Sequence, residues 1–127
     1  MANATLLDEV LALARAGAVD AAADLLREAR RNAPLPAELL SLFFQLATKR
    51  GPCEEGLELC AEALTLAARP LDRSNWLLRR ALLQLELGDR ANAQADLLAV
   101  LKLRANEGHL EQARAALLRV AQLPKPS

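Results

Sequence analysis

The sequence predicts an all-α fold of stacked helix pairs, and three observations support that prediction. Gly17 and Gly51 lie 34 residues apart, and each is followed five positions later by a small residue, Ala22 or Gly56. The 127 residues are 53% hydrophobic but only 2% aromatic, a leucine- and alanine-rich composition typical of helices. No stretch alternates apolar and polar residues with period two, so we expect no β-sheet.

Glycine and proline mark the ends of the first four predicted helices. Asn3 or Thr5 should cap the first helix, because a short polar side chain accepts hydrogen bonds from the free N–H groups of a first turn. The second should stop before Pro34, and Pro52 suits the first position of the fourth, where its missing N–H costs nothing. These four helices should cover about residues 4–16, 18–32, 36–50 and 53–68.

The last three helices follow the same rules. Asp72 or Ser74 should cap the fifth helix, after a junction at residues 69–75 that is either a loose corner or a specific contact loop. Gly88 and Gly108 repeat the five-residue offset, but only 20 residues apart, so we interpret the seventh helix as a cap over the stack. These three helices should cover about residues 73–87, 90–103 and 108–122.

Composition excludes several classes of function. The chain has 16 basic and 16 acidic residues, which argues against nucleic acid as a partner, since phosphate binding relies on a basic excess. No apolar run approaches the roughly 20 residues of a membrane span, so we expect no membrane insertion. Asp8 and Glu9 follow an N-terminus without Lys or Arg, which favours a cytoplasmic protein without a signal peptide. We expect one domain over residues 1–123 and a short disordered tail over 124–127.

The sequence offers no catalytic or metal-binding constellation. His109 is the only histidine, and we expect it at the surface near the start of the last helix. Cys53 and Cys60 lie seven residues apart without further ligands at metal spacing, so both should be reduced thiols, with Cys60 in the core. We therefore predict no enzyme activity, no cofactor and no metal.

An acidic run in the fourth helix allows two interpretations. Glu54, Glu58 and Glu62 are spaced by four residues and so share one helical face. Carboxylates near a helix start are favourable for the helix itself, which makes a solvated outer face the first interpretation. The second is a recognition patch for a basic partner.

The residues around the turns match a known repeat. Residues 17–34 (GAVDAAADLLREARRNAP) contain the turn glycine, a small residue, the bulky Leu26 and Ala29, and end on a proline. Residues 87–93 (LGDRANA) are similar to the LGD…A turn of the same repeat. On these motifs the chain resembles the tetratricopeptide repeat (TPR) family over nearly its whole length.

The resemblance implies a fold and two alternative functions. Members of the family form a right-handed α-solenoid, here of about three repeats plus a C-terminal capping helix, that binds peptides or partner proteins. The leading hypothesis is a protein- or peptide-binding scaffold or chaperone, similar in size to the bacterial chaperones of type III secretion. The alternative is a structural repeat domain that self-associates as a homodimer, excised from or acting within a larger assembly.

In this family the first helix of each pair lines a concave groove, which gives the candidate binding residues. The fifth helix is apolar nearly all round, so its leucines have a second interpretation as a face buried on both sides. The lysine, arginine and asparagine clamp that binds acidic heat-shock chaperone tails is missing from these positions, so that ligand class is not expected. The expected groove residues are Leu7, Leu11, Arg15, Ser41, Gln45, Lys49, Leu78, Leu82 and Leu85.

Overall fold

A computed structural model describes residues 2–122, with side chains from residue 5 onward. In this range the protein is all-helical, with seven helices and no strand, which confirms the predicted all-α class. The chain divides into two compact units, Met1–Gly51 (the N-terminal unit) and Pro52–Ser127 (the C-terminal unit). The helices are α1 (Ala2–Arg15), α2 (Val19–Asn32), α3 (Ala37–Ala47), α4 (Glu54–Leu66), α5 (Pro70–Glu86), α6 (Arg90–Leu103) and α7 (Glu107–Gln122).

The turn between α1 and α2 depends on the backbone conformation of Gly17. Gly17 has φ 83°, in the left-handed region that glycine enters without steric cost. The Gly17 N–H donates to the Ala14 carbonyl at 3.1 Å, and the Ala18 N–H donates to the Leu13 carbonyl at 2.9 Å. This Schellman arrangement satisfies carbonyls at the end of α1 and reverses the chain into α2.

The turn between α5 and α6 has the same atomic pattern. Gly88 has φ 87°, and its N–H donates to the Leu85 carbonyl at 3.1 Å. The Asp89 N–H donates to the Gln84 carbonyl at 2.8 Å, and the Asp89 carboxylate then accepts from the Asn92 N–H as the N-cap of α6. The two turns therefore share one local structure, as predicted from the five-residue offset between each glycine and the small residue after it.

The small residues that follow the glycines lie where helices pack. Ala22 in α2, Ala93 in α6 and Ala113 in α7 are 0% exposed, and Gly56 in α4 is buried. Helix α2 packs against α1 and α3 in the N-terminal unit, and α4 to α7 pack successively in the C-terminal unit. A larger side chain at any of these positions would force two helices apart.

Each unit has its own apolar core. In the N-terminal unit the largest fully buried side chains include Phe43, Leu26 and Val10, one from each helix. Cys60 is fully buried in the C-terminal unit, as predicted. The main core cluster of the C-terminal unit consists of Leu77, Leu78, Ala81, Leu97, Val100, Ala113, Ala116 and Val120.

The prediction that Pro52 takes the first position of the fourth helix was wrong, because α4 begins at Glu54 and Cys53 is its N-cap residue.

Two further predicted helix ends were wrong. Helix α3 ends at Ala47 rather than at residue 50, and the hydroxyl of Thr48, its C-cap, donates to the Phe44 carbonyl at 2.7 Å. Helix α5 begins at Pro70, so most of the predicted junction is helical. Proline at the first helical position has no N–H that needs a partner, so the helix can begin there.

The predicted N-caps of α1 and α5 were also wrong. Asn3 and Thr5 lie within α1, while Asp72 and Ser74 lie within α5, whose N-cap position is Arg69. The Arg69 guanidinium forms an ion pair with the Asp72 carboxylate at 2.9 Å instead. Asp72 therefore lies in the first turn of α5, where its negative charge interacts favourably with the helix dipole.

The corner before α7 departs from the glycine rule. Gly108 lies inside α7 and does not make the turn. The left-handed residue is Arg104, with φ 49° and ψ 38°, directly after the end of α6. The Asn106 side-chain oxygen accepts from the His109 N–H at 3.0 Å near the start of α7.

Two further expectations concern the extent of the protein. The predicted tail over residues 124–127 lies outside the described residues. The single domain predicted over residues 1–123 stays a prediction. Within the described range no helix combines the length and the apolarity that a membrane span needs.

Candidate functional site

A groove with a volume of about 380 Å³ lies between α1 and α3 of the N-terminal unit. Residues four apart on a helix share one face, so each helix contributes one stripe to the lining. Four of the six lining residues were predicted from the sequence, and Glu38 and Leu42 were not. The lining residues are Leu7 and Leu11 of α1 and Glu38, Ser41, Leu42 and Gln45 of α3.

Helix α2 brings the two stripes together because it packs against both α1 and α3. The Asp20 carboxylate, at the start of α2, forms an ion pair with the guanidinium of Arg50, just beyond the end of α3, with an N–O distance of 3.0 Å. The short turn at Gly17 places the end of α1 at the start of α2 as well. Helices α1 and α3 therefore run in the same direction, with their C-terminal ends at the same end of the unit.

The groove has an apolar floor and a polar edge. Leu7, Leu11 and Leu42 are half-buried, so each keeps apolar surface that a ligand can cover. Glu38 and Gln45 are exposed to solvent, so their side chains can form hydrogen bonds to a ligand. An apolar surface with few polar groups around it suits the side chains of a peptide segment.

The two ends of the groove differ in charge. Glu38 is in the first turn of α3. Arg15 is in the last turn of α1, and Lys49 follows the end of α3, so both cations belong to the opposite end. Both are exposed and neither lines the groove itself. A ligand in the groove therefore meets a carboxylate at one end and has two cations beyond the other.

The predicted residues of α5 lie in a different environment. Leu78 is only 5% exposed and belongs to the core cluster of the C-terminal unit. Leu82 and Leu85 are partly buried and pack against the same cluster. The structure thus favours the second interpretation of this helix, in which its leucines form a buried face.

A hydrogen bond between Ser74 and His109 was not predicted from the sequence. The Ser74 Oγ lies 2.8 Å from the His109 Nδ1, which ties α5 to α7. Ser74 is 0% exposed, so its hydroxyl cannot reach a substrate, and His109 is half-buried rather than a surface residue. The residues are 35 positions apart, and nothing in the local sequence signals the pairing. This serine–histidine pair is a structural contact.

A second polar contact joins α5 to α6. The Arg80 guanidinium donates to both carboxylate oxygens of Asp96, at 2.7 and 2.9 Å, and Asp96 is only 8% exposed. This hydrogen bond, more than any other effect, raises the pKa of Arg80 above its ordinary value. Charged residues 16 positions apart on neighbouring helices give no local sequence signal, which is why the pair was not predicted.

The thiol of Cys60 stays protonated at neutral pH. Burial raises the pKa of Cys60 to about 12, although the positive charges of Arg80 and Arg79 act in the opposite direction. A thiol with such a pKa is almost entirely protonated at pH 7, and the protonated thiol is a poor nucleophile and metal ligand. No group of three or more acidic, cysteine or histidine side chains among the described residues could hold a metal ion.

Comparisons of the chain with protein-family models, curated proteins and solved structures found no match. In the acidic run of α4, Glu54 and Glu58 are exposed and Glu62 is half-buried. That placement fits a solvated helix face.

Proposed function

We propose that this chain is a TPR-like binding module whose N-terminal groove takes a peptide segment of a partner protein. The observation that supports the proposal most directly is the lining of one groove by Leu7, Leu11, Ser41 and Gln45. The repeat pattern alone predicts these four residues, as part of the exposed faces of the first helices. In this proposal the protein has no catalytic role.

The repeat geometry supports the same proposal. Schellman turns at Gly17 and Gly88 are each followed five residues later by a fully buried alanine. We propose that the helix pairs are repeats of a right-handed solenoid, with α7 as its cap. The first helix of a pair would then supply ligand contacts while the second helix supports it.

The charges around the groove define the partner segment that fits it. Apolar side chains spaced along one face of the segment would cover the leucine floor, with a gain of ~25 cal/mol per Å² of apolar surface, less the cost of ordering both partners. A basic residue at one end would meet Glu38. An acidic residue at the other end would meet Arg15 and Lys49. The preferred partner is therefore an amphipathic segment with opposite charges at its two ends.

A pair of glutamine variants tests the proposal. Gln45→Trp places a large ring at the edge of the groove, and Gln94→Trp makes the same change at an exposed position of α6 that lines none of the grooves described in this chain. Both residues are exposed, so both variants should fold normally. Proteins captured from a lysate by the wild-type chain and by the Gln94 variant should be lost with the Gln45 variant. Equal capture by both variants would contradict the proposal.

The molar mass in solution separates binding from self-association. A monomer that captures a partner through the groove supports the binding module. A stable dimer that Gln45→Trp leaves intact and that captures nothing would support the structural alternative. Sedimentation equilibrium of the wild-type chain and of the two variants measures this directly.

A further inference from the structure

Two adjoining grooves lie at the corner of the C-terminal unit where α6 ends and α7 begins. The first, of about 500 Å³, is lined by Leu98, Leu101, Lys102 and Arg104. Leu101 and Arg104 also line the second, of about 360 Å³, so the two form one continuous surface, here named the α6–α7 corner. The other residues that line the second groove are Glu107, Leu110 and Arg114.

The α6–α7 corner combines exposed positive charge with apolar surface. Lys102, Arg104 and Arg114 are exposed, against one carboxylate, Glu107, in the lining. Within the described residues none of the three cations forms an ion pair. Leu98 is 45% exposed beside them. The surface therefore presents three unpaired cations around leucine side chains.

The backbone at Arg104 distinguishes this corner from the other turns. Arg104 has φ 49° and ψ 38°, a left-handed conformation that is unfavourable for a residue with a Cβ atom. In the turns after α1 and after α5 the left-handed residue is a glycine, Gly17 or Gly88. Glycine at this place would leave the corner without the Arg104 guanidinium.

Helix stability explains only part of this charge. Lys102 is in the last turn of α6, and cations there stabilise the helix dipole. Arg114 lies in the middle of α7, away from both ends of that helix, so the same explanation does not apply. Arg114 and Arg104 line the same groove. A ligand with more than one negative charge could therefore pair with both guanidinium groups.

We propose that the α6–α7 corner binds an acidic peptide segment that carries leucine-like side chains among its carboxylates. Carboxylates would pair with Arg104 and Arg114, whose planar guanidinium groups match them in two-point hydrogen bonds. The apolar side chains would cover Leu98 and Leu101. The half-exposed leucines favour such a peptide over a nucleic acid, which presents phosphates but no aliphatic side chains. This site involves helices of the C-terminal unit and does not rest on the function of the α1–α3 groove.

The probe is a fluorescein-labelled peptide of alternating leucine and glutamate pairs, with a matched peptide in which every glutamate is glutamine. Fluorescence anisotropy should show binding of the glutamate peptide that weakens as salt is raised, and much weaker binding of the glutamine peptide. Arg104→Gly combined with Arg114→Gln should lower the affinity for the glutamate peptide about tenfold. Arg119→Gln, on α7 but outside both grooves, is the matched control and should bind normally.

The glycine variant separates binding from folding. Glycine adopts the left-handed conformation without strain, so Arg104→Gly should melt at the same temperature as the wild type or higher. Loss of peptide binding in that variant cannot then be ascribed to unfolding. For the apolar part, Leu98→Ala should weaken binding, whereas Leu118→Ala, 64% exposed and outside both grooves, should not.

Several results would overturn the proposal. One is equal affinity for the glutamate and glutamine peptides, and another is unchanged affinity in the double arginine variant. A single-stranded oligothymidylate that binds the corner as tightly as the glutamate peptide would identify a general anion site instead. Dimerisation that Arg104→Gly abolishes would show that a second copy of the chain occupies the corner.

Discussion

At the residue scale, the size of the side chain five positions after each turn glycine controls how closely two helices pack. Ala22 is 0% exposed at the contact of α2 with its neighbours, whereas Ala21 is exposed on the same helix. Ala22→Leu should lower the free energy of unfolding by about 1–3 kcal/mol through overpacking. Ala21→Leu should change it by less than about 0.5 kcal/mol. Urea denaturation measures both, and equal midpoints would contradict the assigned helix crossings.

A second residue-scale prediction concerns the stability of the protein at alkaline pH. Burial raises the pKa of Cys60 from its ordinary value of 9.0 to about 12 in the folded protein. Above pH 9 the unfolded chain releases this proton while the folded protein keeps it, so the free energy of unfolding falls as pH rises. The slope should approach about 1.4 kcal/mol per pH unit between pH 9 and pH 12.

Cys60→Ala is the control for that slope. Urea midpoints of the wild type and of the alanine variant at pH 7.5 and pH 10 separate the thiol from the other groups that titrate in this range. The variant should lose about 1 kcal/mol less stability than the wild type over this interval. The same loss in both proteins would show that the buried thiol is not the cause.

At the scale of helix pairs, the contact between Arg80 and Asp96 joins α5 to α6 through a largely buried ion pair. Asp96→Leu alone leaves the guanidinium without its partner and should lower the free energy of unfolding by about 2–3 kcal/mol. The double variant Arg80→Met, Asp96→Leu removes both charges and should recover most of that loss. A double-mutant cycle in urea checks this, and additive losses would show that the two residues do not interact.

The bond between Ser74 and His109 leads to a prediction in which stability and binding separate. His109→Ala removes the partner of a fully buried hydroxyl and should lower the free energy of unfolding by about 1–2 kcal/mol. Capture of a partner by the N-terminal groove should be unchanged, because neither residue lies in that unit. Thermal denaturation and the capture assay test the two halves of this prediction. Loss of capture in a folded His109 variant would contradict the assignment of the site.

The helices were largely predictable from the sequence because turns and packing positions have local signals. The left-handed backbone of the two turns favours glycine, at Gly17 and Gly88. Close helix packing favours the small side chain five residues later, at Ala22 and Ala93. The end of α3 was missed because a threonine C-cap is a weak signal, and the start of α5 was missed because a proline can either follow a helix or begin one. At the last corner the left-handed residue is Arg104, which no residue preference predicts.

The candidate site was predictable only in part, for a related reason. The stripe of Leu7, Leu11, Ser41 and Gln45 follows from helical spacing and from the position of these helices in the repeat. The leucines of α5 were ambiguous because a helix that is apolar nearly all round does not show which face is covered. Ion pairs between helices depend on how the helices pack, which a single sequence does not encode locally.

At the scale of the whole molecule, each of the two units has one proposed binding surface, and the two surfaces differ in chemistry. The N-terminal groove is apolar with opposite charges toward its two ends, and the α6–α7 corner is basic around exposed leucine. Each should therefore select a different peptide. A glutamate-rich peptide should not compete with a partner held in the N-terminal groove. Anisotropy competition between the two ligands tests this independence, and mutual displacement would contradict it.

We expect α1 and α3 to hold the partner, and hydrogen–deuterium exchange can locate the residues that it covers. The sample is the wild-type chain with a partner that the Gln94→Trp variant retains and the Gln45→Trp variant loses. Binding should slow exchange in peptides from residues 2–15 and 37–47, because a bound segment suppresses local opening of the helices it covers. Exchange that slows only in the C-terminal unit, or nowhere in α1 and α3, would contradict this expectation.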